Sequence, residues 1–432
     1  MIELKNDKLS FSFTGIEASL RKLAHQHVQE RLPRILNEDR NAALDELLAK
    51  NYRFNRASET ERVEFRRFVH ELPKAQVIAA FQNKIREQSQ VAFDGKKPGR
   101  MTIEFQRTLR IPDDGRDYFL PPGLGRFPLR HVDDFADRLS AAWLDRGGVM
   151  MPMYQAEALW INFRGGYPFA VKVASGKINA ITGESWRAGL NREPQDYLVV
   201  PEQPWLDGFA VEKGVIRQFV AMPLGAGYSV EEQLTGRADC GGIQIQVYPM
   251  RAEAYFKDRV VPLLPSRLAD LLPDLLPHLP EPREFFSLSS RLEPLSCIAA
   301  ESMGLGAGGR MKQEIYEDTE DMAVWDLTNS SRCFIHLCNS AVWREITGTN
   351  PPQPPVTAKE YERAGLPWFD YYRDDLAALE GPKTLAGVKS VVTVSKEKGD
   401  HAVTGNDPVK VNSVKDCGPV KRPNQVREWA LE

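Results

Sequence analysis

Long apolar runs are missing from this chain. No stretch of about 18 apolar residues occurs anywhere in its 432 residues, so no transmembrane helix is expected. The opening MIELKNDKLSFSF has no positively charged stretch followed by an apolar one, which excludes the pattern of a secretory signal. Cysteine is scarce. Cys240, Cys297, Cys333, Cys338 and Cys417 form an odd set without CxxC spacing, which argues against a disulfide framework and against an all-cysteine zinc site. The seven histidines are scattered and no HExxH is present, so neither a metal nor another cofactor is expected. An excess of one charge is also lacking. The formal net charge is −3, which gives no whole-chain attraction to nucleic acid or to an anionic membrane. GxxxxGK[ST], GxSxG, the kinase set and the EF-hand loop are all absent, which lowers the standing of nucleotide hydrolysis, serine hydrolysis and calcium sensing. A reducing, cytoplasmic compartment is the simplest setting.

The composition that remains is globular: 42% apolar and 27% charged, with thirty prolines and thirty-one glycines dispersed rather than periodic. Leu9–Phe13 alternates with period two, as a short strand at 1–13 would. From 14 to 100 the spacing turns helical. Leu20, Leu23, Ala24 and Val28 share one helix face; Ile35, Ala42, Leu44 and Leu47 share another, beyond a break expected at Pro33. Ser58 and Glu61 have the spacing of a capping box. This block carries 17 Lys/Arg against 12 Asp/Glu, and the interleaved glutamates favour a solvated, salt-bridged face over a nucleic-acid surface.

Alternation returns at Met101, and short strands separated by turns fill 101–250. Ala158–Phe163, Phe169–Ala174, Val215–Met222 and Ile243–Tyr248 are the clearest. His131–Leu144 reads as one amphipathic helix. The prolines of 251–284 interrupt a leucine-rich stretch, which reads as a connector. A smaller α+β unit is expected at 285–395, and a polar, mobile or extended tail at 396–432. The fold class expected is α+β: a β-rich core, as an antiparallel sandwich or open barrel, with an N-terminal helical insertion or appendage and the smaller C-terminal unit.

Four groups of residues carry possible chemistry. In Arg217–Met250, a glycine-jointed loop links two strands and carries Glu231, Glu232 and Gln233, with Arg217 on the preceding strand. Carboxylates in a cleft serve as general acid or base, but adjacent residues on a strand face opposite ways, so Glu231 and Glu232 alone are no dyad. The run GLGAGG at 304–309 matches GxGxxG, yet a weak strand precedes it and a polar segment follows, unlike a dinucleotide site. It reads instead as a glycine-rich turn in which Arg310 and Lys312 would form an anion-binding nest. Cys338 and His336 fall on one side of a strand and form a candidate nucleophile pair, against the commoner use of such thiols as core. Trp368, Phe369, Tyr371 and Tyr372 form an aromatic run suited to core packing or to stacking on a ligand ring.

Two of these blocks, RQFVAMPLGAGYSVEEQLTGRADCGGIQI and GLGAGGRMKQEIYED, together with AVWREITG and GLPWFDYYRDDL, resemble recurring blocks of an uncharacterised, mostly bacterial protein family with no established activity. The resemblance runs from about Met101 to Val392, so it treats the helical block as an addition, and a family with no established activity implies no mechanism. The leading expectation is a ligand-binding or assembly module for an unknown small molecule or protein, with an anionic ligand held between the two glycine loops. The alternatives are a hydrolase or transferase using carboxylate or Cys/His chemistry, and a structural component of a larger assembly. A homo-oligomer is compatible with any of these.

Overall fold

The computed structural model describes residues 1–51, 54–55, 57–92, 98–276, 302–366, 368–370, 376–400 and 413–415. Cys297, Cys417, Tyr371, Tyr372 and most of the expected polar tail lie outside them. The chain divides into two compact units. The first combines Met1–Phe13, Arg100–Met250 and Glu293–Glu432; the second combines Thr14–Gly99 and Arg251–Leu292.

The first unit is β-rich. Its main ladder runs Lys8–Ser12, Arg100–Thr108, Ala158–Gly165, Val215–Pro223, Ser302–Lys312, Ser331–Asn339, Ile243–Pro249, Phe169–Ser175 and Leu198–Val200, antiparallel throughout. Parallel additions are Asp117–Tyr118 on the 302–312 strand and Val149–Met153 on the 331–339 strand. All seven residues of Phe169–Ser175 and all five of Val149–Met153 are buried, so these strands read as apolar runs rather than alternating ones. Leu9 pairs with Ile103, so the 14–99 block enters and leaves between two neighbouring strands.

Three expectations are corrected here. The strands 302–312 and 331–339 do not form a smaller C-terminal unit. They sit in the middle of the ladder, because their apolar faces complete the core begun by 215–223 and 243–249. Residues 131–144 are not one helix but a short turn, Asp133–Phe135, and a short helix, Ala141–Arg146; Val132 and Trp143 still meet in one core cluster. The leucine-rich stretch from 251 is no connector. Its prolines cut it into short turns whose Leu264, Leu268, Leu271, Leu272 and Leu276 are buried in the second unit.

The second unit is helical: Ile16–Asn37, Arg40–Lys50, Glu59–Glu71 and Lys74–Ala92. The first helix continues through Pro33, because fully buried Ile35 anchors its last turn. The break falls at Asp39, whose carboxylate caps the next helix by accepting from Asn41 and Ala42 N–H. Ser58 and Glu61 form the capping box that their spacing predicts. The 251–276 segment is tied in by Arg267–Glu46 at 2.6 Å, by Lys84–Asp274 at 2.8 Å, and by Leu268 N–H donating to Glu38 at 2.8 Å. Among the described residues, no helix is long and apolar enough to cross a membrane.

Candidate functional site

The loop at 224–242 is held by its own polar side chains. Val230–Thr235 is a short helix, capped by the reciprocal Ser229–Glu232 box and closed at Gly236 in the left-handed conformation. Glu232 accepts from Ser229 N–H and Oγ–H, and from Gly227 N–H at 2.7 Å. Glu231, 1% exposed, accepts from three backbone N–H groups: Gly241 at 2.7 Å, Lys177 at 3.2 Å and Cys240 at 3.3 Å. Burial raises its pKa against those donors. Gln233 clasps residue 389, donating to its carbonyl at 3.0 Å and accepting from its N–H at 2.8 Å. Arg217 donates to Asp113 at 3.3 Å and to the Gly308 carbonyl at 3.0 Å. All four side chains fasten loops and strands.

The glycine run is not a loop. Gly304 to Lys312 is strand, so Arg310 and Lys312 frame no anion-binding nest. Arg310 is held by Asp117 at 2.6 Å and by a two-point contact with Glu212 at 2.7 and 2.9 Å, which push its pKa further up. The Lys312 ammonium lies 4.9 Å from the Phe119 ring centre. Gly304, Gly306 and Gly308 share one face by the period of two. A Cβ at Gly304 would lie 2.8 Å from the Ser229 Cβ, and one at Gly306 would lie 2.8 Å from Val391 Cγ2 and 3.0 Å from the Tyr228 carbonyl. The motif is therefore a smooth floor for the 228–235 segment and for the helix Val391–Lys398. Gly306→Ala is expected to cost about 1–3 kcal/mol by overpacking. Chemical denaturation reads this, and a loss near zero would mean that the 391–398 helix simply moves aside.

His336 and Cys338 are not a nucleophile pair. The imidazole is stacked at 4.4 Å on Trp143 and lies tilted at 4.5 Å from the Phe334 ring, and its Nε2–H donates to the Gly147 carbonyl at 3.0 Å. Burial pushes its pKa down to about 4 and pushes the Cys333 and Cys338 thiols up to about 12. A neutral ring whose N–H is engaged and a thiol held neutral give no base–thiolate couple. The two side chains belong to a buried strand, Ser331–Asn339.

Sequence reasoning missed the most unusual polar groups of the β-rich unit. Lys172 is 1% exposed; its ammonium meets Asp196 at 2.5 Å and donates to the Arg187 and Gly189 carbonyls at 2.9 Å. Asp318 accepts from the Tyr197 hydroxyl at 2.5 Å and from the Trp325 indole N–H at 2.9 Å. Asp207 is buried with Gln313 as its side-chain partner at 2.8 Å, and burial pushes its pKa up to about 7. A lone charge in the apolar run FAVKVAS was the available signal for Lys172.

Space of ligand size lies in the helical unit. A half-open chamber of about 500 Å³ is lined by Leu20 and Ala24 of Ile16–Asn37, by Ile85 of Lys74–Ala92, and by Phe256 and Val260 of a π-helical turn, Phe256–Val260. Pro98 completes the apolar lining, while Glu17, Arg21, Gln82 and Arg86 carry the polar atoms. The volume falls within the roughly 300–1,000 Å³ of small-molecule sites, and π turns inside helices recur at functional sites. Among the described residues, no group of three His, Cys, Asp or Glu side chains is placed to hold a metal ion. Comparison with protein-family models, curated proteins and solved structures gave no match.

Proposed function

We propose that this protein is a ligand-binding module whose site is the chamber of the helical unit. The observation that carries this reading is the chamber itself: about 500 Å³ lined by Leu20, Ala24, Ile85, Phe256 and Val260, with its polar atoms confined to four side chains, three of them charged. A hydrolase or transferase has less support, because Glu231 and His336 spend their polar atoms on backbone partners and Glu232 spends its own on backbone N–H groups and the Ser229 hydroxyl. A cytoplasmic setting fits the free thiols Cys240, Cys333 and Cys338.

Filling the chamber tests the reading. Ala24→Trp places an indole where the wall has a methyl group. With the neutral fluorophore N-phenyl-1-naphthylamine as probe, the wild-type protein is expected to show saturable enhancement, and the variant to bind at least about tenfold more weakly with an unchanged circular dichroism spectrum. Equal binding by both proteins would remove the chamber as the site.

A further inference from the structure

The charged groups of the chamber are arranged in a way that points to a class of ligand. Glu17 and Arg21 stand one turn apart on Ile16–Asn37; Gln82 and Arg86 stand one turn apart on Lys74–Ala92. All four are exposed, whereas Leu20, Ile85, Phe256 and Val260 beside them are buried. The polar groups therefore mark the rim and the apolar ones, 1–7% exposed, the floor. Arg21 is paired with Glu17, while Arg86 has the neutral Asn83 amide at 3.2 Å. Among the described lining residues, two guanidiniums against one carboxylate make the rim positive, and a guanidinium presents paired donors that match a carboxylate or phosphate.

The interior imposes the other half of the constraint. Leu20, Ala24, Ile85, Phe256, Val260 and Pro98 offer no side-chain donor or acceptor. A sugar or other polyol there would leave its hydroxyls without partners, which is costly. Free phosphate would leave the apolar wall unused. At the roughly 30 Å³ that a water takes in the liquid, the volume has room for about 16 heavy atoms, which fits a single unbranched chain of about ten carbons with its head group.

We propose that the chamber takes a single-chain amphiphile with an anionic head, its tail on the Leu20–Phe256–Val260 wall and its head at Arg21 and Arg86. This rests on the ligand-binding reading above. Phe256 and Val260, four residues apart in the π turn, both line the chamber.

Isothermal titration of the full chain with decanoate, decyl phosphate and decanol tests the proposal. The two anionic probes are expected to bind at least about tenfold more tightly than decanol, and the better of them identifies the head. Arg21→Gln/Arg86→Gln is expected to bring both anions down to the level of decanol while leaving decanol unchanged; raised salt acts on the wild type in the same direction. Ala24→Trp is expected to weaken all three. If decanol matches the anions and the double variant changes nothing, the anionic head is overturned while the ligand-binding reading stands. If none of the three binds saturably, and the naphthylamine probe is equally indifferent to Ala24→Trp, both fall.

Discussion

Replacing Lys172 by methionine is expected to lower the unfolding free energy by about 3–5 kcal/mol, the range for breaking a buried ion pair from one side. The cause is not the lost attraction alone. Lys172 satisfies the Asp196 carboxylate and two backbone carbonyls, Arg187 and Gly189, and its ammonium lies 5.3 Å from the Trp186 ring centre. Methionine fills much of the same volume but leaves Asp196, itself buried, as an uncompensated charge. The remedy is diagnostic. Lys172→Met/Asp196→Asn removes both charges and is expected to recover more than half of the loss, because desolvation of an unpaired carboxylate is then avoided. Urea denaturation of the two variants and of Asp196→Asn closes a double-mutant cycle. A single-variant cost below about 1 kcal/mol, the level of an exposed pair, would show that water reaches the site and that the pair is not sealed.

Asp207 sets the second large effect, and it is a dependence on pH. Its carboxyl sits with Gln313 and, among the described residues, without a cation, and burial raises its pKa to about 7. An unfolded aspartate titrates near 4, so the folded protein holds this proton more tightly. The sign follows from linkage: the contribution to stability is complete below about pH 4 and is lost as pH rises through about 7. Asp207→Asn mimics the protonated acid, since its amide oxygen still accepts from Gln313, and it does not titrate. The stability of Asp207→Asn minus that of wild type is therefore expected to rise between pH 4 and pH 7 by up to about 4 kcal/mol, because a tenfold change in proton affinity is worth about 1.4 kcal/mol. A difference that stays flat across that range would mean the carboxyl ionises normally through a water or a partner. The subtraction isolates Asp207 from every other titrating group.

The candidate site divides sharply between what pattern reveals and what it hides. Glu231, Glu232 and Gln233 are visible as acids and an amide in a glycine-jointed loop. Their role was not visible, because the partners of Glu231 are backbone N–H groups at residues 177, 240 and 241, and backbone donors have no sequence signature. The GLGAGG run misled for a related reason. Glycine spacing of two reads equally as a flexible turn or as a strand whose face must be bare, and only Ser229 and Val391 pressed against it decide between them. The chamber has still less signature. Leu20 and Ala24 announce a buried helix stripe, but a stripe that faces a neighbour and one that faces a cavity have the same period.

By itself the sequence determined the class of structure: period-two runs from Met101 onward made strands, spacing of three and four from 14 to 92 made helices, and Asp39, Ser58 and Thr357 placed helix starts through local hydrogen bonds. These are interactions over a few residues, so local order suffices to specify them. Tertiary structure decided the rest. It set 302–312 and 331–339 in the centre of the first sheet rather than in a unit of their own, gathered the 251–276 turns into the helical unit, buried Lys172 against Asp196, and opened a chamber between segments more than two hundred residues apart. Such choices depend on which apolar faces cover one another, a property of pairs of distant segments that no single segment encodes.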